Sequence, residues 1–218
     1  MVGDTLDGSS QRTMGRNEGT VAALGFRAHS GWAMLVVLAG PVADPRVLKR
    51  QRVELAEPGI PGSKQPFHAA EGLDLPEAEK LVGLCTRTSR ALALRAVRGA
   101  VADLRKGGHD VAGCGLLLAA GRPLPKLAAI LASHALIHAA EGELFRDVLR
   151  HAGGKCGLSV TGVVERELRG RCAQALGLSE AALAGRLDGW RAVLGPPWGK
   201  DEKEAALVAW LALAEREA

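Results

Sequence analysis

At 218 residues the chain is long enough for one substantial core and short for two, and 47% hydrophobic with 24% charged residues places it in the soluble globular class. The net charge of +4 permits an anionic partner without demanding one, and with 3% aromatic residues and no Tyr the core must be built mainly from aliphatic side chains. Cys85, Cys114, Cys156 and Cys172 form neither a C-x-x-C pair nor a Cys/His finger spacing. They sit among apolar neighbours, as small buried thiols of a reducing compartment do. No apolar segment follows the first charges, so a signal peptide is not expected, and the longest apolar run, WAMLVVLA at 32–39, is far short of a membrane span. The expectation is a cytoplasmic protein that does not enter a membrane.

Residues 1–18, MVGDTLDGSSQRTMGRNE, are polar, Gly/Ser-containing and aperiodic, which predicts a disordered leader outside the fold, with Met14 as an alternative start. The remainder, 19–218, is expected to form a single domain with extra C-terminal helices. TVAALGFRA (20–28) and GWAMLVVLAG (31–40) read as strands joined by a tight turn at His29, Ser30 and Gly31. RVLKRQRVEL (46–55) follows two prolines and carries Lys49, Arg50 and Arg52, which suits a solvated edge strand and completes an antiparallel meander.

Pro58, Gly59, Pro61, Gly62 and Pro66 mark 56–75 as a loop. A long helix is predicted from Pro76 to the Gly107–Gly108 stop, with a break near Thr86–Ser89. DVAGCGLLLAAG (110–121) reads as a central strand covered on both faces, 124–152 as helix, and CGLSVTGVV (156–164) as another buried strand. Helices over ERELRGRCAQALG, SEAALAGRLDGWRAVLG and KDEKEAALVAWLALAEREA complete the chain. The order β-β-β-α-β-α-β-α implies a mixed five-stranded α/β sheet, antiparallel on one side and parallel on the other, with helices on both faces.

That order, together with three segments, resembles the ribonuclease H-like superfamily and within it the Holliday-junction resolvase branch. ALGFRAHSGWAML is similar to the first hairpin. The stretch from GLLLAAG through HALIHAAEGELFRDVLRH to CGLSVTGVVE is similar to the fourth strand, helix and fifth strand. KDEKEAALVAWLAL is similar to the terminal helix with its acidic pair. The resemblance covers roughly residues 20–214 and implies phosphodiester cleavage by two divalent cations, usually Mg²⁺, held by acids of strand one, strand four and the last helix. Asp201 and Glu204 match the terminal-helix pair. The strand-one acid position is held by Arg27, and Leu118, Ala119, Ala120 and Gly121 offer no acid where strand four should. An arginine repels a divalent cation.

Residue chemistry adds its own candidates. In SHALIHAAEGELF (133–145), His134, His138 and Glu141 fall within about 60° on one helix face. They suit either a metal or acid/base cluster or a polar network in which Glu141 bonds a histidine or Arg146. His29 and Ser30 are either turn residues or site residues, and His68, in KQPFHAAE, is a lone loop histidine. Asp201 and Glu204 equally fit a capping box, and Trp198 fits a packing anchor better than a base-stacking platform. Arg87, Arg98 and Arg105, 11 and 7 residues apart, share a helix azimuth and with Lys49, Arg50 and Arg52 could track a phosphate backbone. An arginine-rich solvated face would look the same.

The resulting reading is a ribonuclease H-like protein with nucleic acid as its expected partner. As an enzyme it would be a metal-dependent phosphodiesterase with a remodelled site. Glu141, Asp201 and Glu204 would be oxygen ligands, and His134, His138 and His29 nitrogen ligands or proton carriers, a mixed set favouring Mn²⁺ or Zn²⁺ over Mg²⁺. The alternative is a catalytically inactive nucleic-acid or protein binding module of the same fold, with Arg27 marking the lost site. A related actin-like phosphotransferase is disfavoured because no Gly-rich phosphate loop occurs.

Overall fold

The structure, a computed structural model, describes residues 20–121 and 123–216. The leader expected over 1–18, with Met14, lies outside the described residues. Strands β1 (Val21–His29), β2 (Trp32–Ala39) and β3 (Arg46–Glu54) form the antiparallel meander. His29 pairs with Trp32, and Gly31 takes a φ of +81° in the turn between them, a conformation that costs a side-chain-bearing residue energy. Strands β4 (Asp110–Leu118) and β5 (Ser159–Val164) add in parallel on the other side of β1, so the sheet order is β3-β2-β1-β4-β5. This is the mixed five-stranded sheet that the alternating and continuous apolar runs imply.

Strand periodicity sends alternate side chains to opposite faces, and each face has its own core. Ala22, Leu24 and Phe26 of β1 join the first, beneath helices α2 (Leu75–Lys106) and α4 (His134–Lys155). The second core gathers Val36, Leu38, Leu117 and Val163 around α7 (Lys200–Ala214), backed by α5 (Leu168–Leu176) and α6 (Glu180–Leu194). Trp190, Trp198 and Trp210, three of the four tryptophans, all lie in this second core, and each indole N–H donates to a backbone carbonyl.

Three expectations about the elements change. α2 runs unbroken through Thr86–Ser89. Thr86 and Thr88 donate to the carbonyls of Val82 and Leu84 at 2.8 and 3.0 Å, so their hydroxyls are satisfied inside the helix instead of ending it. The stretch 124–152 is two helices, α3 (Leu127–Leu131) and α4, because Ser133 adopts an extended conformation at the N-cap of α4. The Pro/Gly loop contains a short helix, α1 (Pro66–Ala69), with Pro66 in its first turn.

α7 docks directly on the sheet. Every residue from Ala205 to Leu213 is at most 5% exposed. A Cβ on Gly25 would lie 1.9 Å from the Ala205 carbonyl oxygen, and one on Gly115 would lie 2.0 Å from that of Val208. Two glycines on neighbouring strands therefore admit the helix backbone, which carries its first turn to the end of β1. Among the described residues no helix is long and apolar enough to cross a membrane.

Candidate functional site

Position 27 lies in the half of β1 that follows Gly25, on the face covered by α7. The Arg27 guanidinium stands among three carboxylates: Nε is 2.8 Å from Asp201 Oδ1, Nη1 is 3.7 Å from Glu165 Oε1, and Nη1 contacts Glu204 Oε2. The contacts are ionic and not aligned as hydrogen bonds, since Nε and Nη1 are buried without a directed acceptor. Lys200 Nζ adds a second cation, 2.5 Å from Glu165 and 3.7 Å from Glu204 Oε1. Its hydrogen bond, with Arg27 and His29 nearby, holds the Glu165 carboxyl below the usual range. His29 Nε2 is 3.1 Å from Asp201 Oδ1, and its ring stacks on Trp32 at 4.2 Å.

The first turn of α7 is capped differently from the sequence expectation. Gly199 is the N-cap, and the Glu202 carboxylate accepts its N–H at 2.8 Å. Asp201 and Glu204 are thereby released from capping and face Arg27. A pair of divalent cations does not fit this centre: a fixed guanidinium lies between the acids, and the end of β4 supplies Leu118, Ala119, Ala120 and Gly121, with no carboxylate.

The other face carries a histidine cluster. His134 and His138, one turn apart at the exposed start of α4, bring their Nε2 atoms to 3.1 Å. His68 of α1 meets both, with ring centroids 5.4 and 4.7 Å away and edge-on. One ligand atom from each lies within 4.8 Å of the others, the one such group of three or more His, Cys, Asp or Glu among the described residues. Beneath them Glu141, 2% exposed, accepts from the Phe67 and His68 backbone N–H groups at 2.8 and 3.0 Å. His68 Nδ1 also lies 3.2 Å from the same oxygen. Glu141 thus satisfies the orphan donors at the start of α1 from a neighbouring helix. Burial pushes its carboxyl above the usual range, and the bonds from His68 and Phe67 partly oppose that.

The expected site residues are therefore divided. His134, His138 and Glu141 remain together and gain His68, while His29, Asp201 and Glu204 gather on the opposite face around Arg27. Glu141 is not brought to Asp201 and Glu204 as a shared oxygen set, because α4 and α7 cover opposite faces of the sheet. Glu141 also does not pair with Arg146, which bonds Glu143 at 2.9 Å. His68 is the member hardest to assign from sequence: its loop offers only a proline at a helix start as a local signal.

A cleft of about 650 Å³ at the end of β4 is lined by Leu118, Ala119, His138, Gly142, Arg146 and Arg150. Arg146 also borders a smaller pocket, about 80 Å³, that reaches Arg27, His29 and Glu165. Of the basic residues singled out in the sequence, Lys49 pairs with Asp103 at 3.4 Å, and Arg50 donates to the carbonyls of Leu194, Gly195, Pro196 and Pro197. Arg52 bonds Glu54 and lies 4.0 Å over Trp32. Arg87, Arg98 and Arg105 are exposed on α2 and make no ion pair among the described residues. Trp198, 6% exposed with its N–H bonded to Leu187, is a packing anchor.

No protein-family model and no curated protein matches the sequence. Solved structures do match the fold. Thermus thermophilus RuvC in complex with a Holliday junction substrate is 13% identical, with a TM-score of 0.53 over 91% of this chain and 96% of that one. A second Thermus thermophilus RuvC structure is 14% identical, with a TM-score of 0.51 over 90% and 96%. The chain has the ribonuclease H-like fold.

Proposed function

We propose that the protein is a ribonuclease H-like nucleic-acid-binding module in which the acids at the β1–α7 junction form a structural ion-pair centre and not a two-metal nuclease site. The observation that carries this reading is Arg27, whose guanidinium stands where a divalent ion would need to share Asp201 and Glu204. Its positive charge is covalently held, so no cation displaces it by simple exchange, and no oxygen ligand from β4 compensates.

Nucleic acid is the partner favoured by two features. A RuvC of the same fold is seen with a Holliday junction substrate. Arg87, Arg98 and Arg105, exposed along α2 and without an ion pair among the described residues, offer phosphate contacts. The competing reading, a metal-dependent phosphodiesterase using Glu141, Asp201 and Glu204 together, lacks a convergent ligand set, since Glu141 lies across the sheet from the other two.

Fluorescence anisotropy with branched and linear DNA and RNA over a salt series tests the proposal. Binding should weaken with salt, and R87E/R98E should lower the log–log salt slope by about 2, roughly one for each phosphate no longer neutralised. Incubation with Mg²⁺ or Mn²⁺ should leave the substrates intact. Cleavage that disappears in Asp201→Asn would overturn the structural reading of the acids, and failure to bind any of these substrates at low salt would overturn the binding reading.

A further inference from the structure

We infer that His68, His134 and His138 form a binding site for one transition-metal ion of the Zn²⁺ class, with Glu141 positioning His68 and one coordination place left to solvent at the mouth of the cleft. The inference uses none of the residues assigned to nucleic acid and stands apart from that reading.

Nitrogen ligands about 2.0–2.1 Å from one ion, at tetrahedral or octahedral angles, lie about 2.9–3.4 Å from each other. The Nε2 atoms of His134 and His138 are already 3.1 Å apart. The i, i+4 spacing on α4 places both rings over the same turn. His68 comes from a different element and closes the third side. The three rings meet at interplanar angles of 86°, 65° and 83°, so none lies flat on another and covers the space between them.

The support beneath the rings points the same way. His68 Nδ1 lies 3.2 Å from Glu141 Oε1, a contact in which Nδ1–H would donate and Nε2 would keep its lone pair for a metal. Glu141 Oε2 is buried and has no hydrogen-bond partner, and no Lys or Arg pairs with Glu141 among the described residues. The Phe67 and His68 backbone N–H groups hold the Glu141 carboxyl in place, so the oxygen that meets the His68 ring is fixed before any ion arrives.

The ligand set also selects the metal. Three imidazoles with no carboxylate in direct reach suit Zn²⁺, Co²⁺, Ni²⁺ or Cu²⁺, and they exclude Mg²⁺ and Ca²⁺, which require oxygen. Three protein ligands leave a position for water, the arrangement of an open site and not of a closed structural one. His134 and His138 are exposed, and His138 lines the cleft that holds Arg146 and Arg150, so an ion here is reachable by an anionic oxygen entering the cleft. The ion would also tie α1, and the Pro/Gly loop that carries it, to α4.

The chelator-treated full-length protein titrated with Zn²⁺ in a calorimeter, and with Co²⁺ while the visible spectrum is followed, tests the site. One equivalent per chain should bind, with the intense visible bands of a low-symmetry Co²⁺ centre. His134→Ala and His138→Ala lie on the surface and should fold as wild type by circular dichroism while losing stoichiometric binding. Glu141→Gln, which keeps the volume, should weaken binding about 10–100-fold, the effect typical of removing the hydrogen-bond partner of a ligating histidine. Asp201→Asn should leave it unchanged. Absence of stoichiometric binding, or binding undiminished in both histidine variants, would refute the site. Nucleic-acid binding measured on the chelated protein is independent of either result.

Discussion

Arg27 is 14% exposed at its side chain and faces carboxylates of which Asp201 is 31% and Glu204 15% exposed. Removing one partner from a buried ion pair typically costs about 3–5 kcal/mol, and the partial exposure here lowers the expectation for Arg27→Asp to about 2–3 kcal/mol. The same variant turns the cluster into four carboxylates at the end of β1, a set of hard oxygens that a divalent cation can bridge. Thermal unfolding of Arg27→Asp should therefore show a low Tm that Mg²⁺ or Mn²⁺ raises, the gain in unfolding free energy being about 2.7 kcal/mol at a hundredfold excess over Kd, while the Tm of the wild type does not respond to Mg²⁺. Glu165 adds a pH signature. Its folded pKa is depressed, first by the Lys200 hydrogen bond, so its contribution is complete above the unfolded value of about 4.3 and fades as pH falls through the folded one. The Tm difference between wild type and Glu165→Gln should be constant near neutrality and shrink to nothing in acid. Glu165 is 45% exposed, so the difference should be small. At this scale the sequence is informative where identity alone decides the chemistry, as with an arginine on the first strand. It is silent where a side chain such as His68 acquires its partners from residues 66 to 73 positions away.

The glycines of β1 and β4 set how closely α7 approaches. Gly25→Ala would place a methyl carbon 1.9 Å from the Ala205 carbonyl oxygen and 2.6 Å from the Ala209 amide nitrogen, both backbone atoms that cannot rotate away. Overpacking of this kind costs about 1–3 kcal/mol, and with two backbone atoms in the way the upper end is expected; chemical denaturation with Gly59→Ala, whose Cβ meets open space, as reference checks it. A shift of α7 would also move Asp201 and Glu204 relative to Arg27, so the variant should lose more than its volume change accounts for. The strands are legible because alternating and continuous apolar runs have different lengths and turn punctuation. The junction between α3 and α4 is not. Ala, Leu and Ile fill both sides of it, and the break depends on the backbone of Ser133, for which the flanking residues carry no breaker.

Two cores on opposite faces of one sheet explain why a single convergent site did not form from the residues proposed for it. Face parity follows from strand period: Phe26 enters one core and Arg27 the other side, so Asp201 and Glu204 follow Arg27 and leave Glu141 behind. The topology is readable from element order, but which helix covers which face depends on crossover handedness and on packing at Gly25 and Gly115, which no local pattern states. The placement of α7 has a further consequence in time. It is the last of the described elements in chain order and yet the centre of the second core, buried from Ala205 to Leu213. During synthesis the meander emerges first, with Val36 and Leu38 uncovered, and it stays so until residues 200–214 have left the ribosome. From the emergence of the meander to the arrival of α7 the nascent chain thus carries an open greasy sheet face, a substrate for holdase chaperones, and that face closes only when α7 slides onto the two glycines.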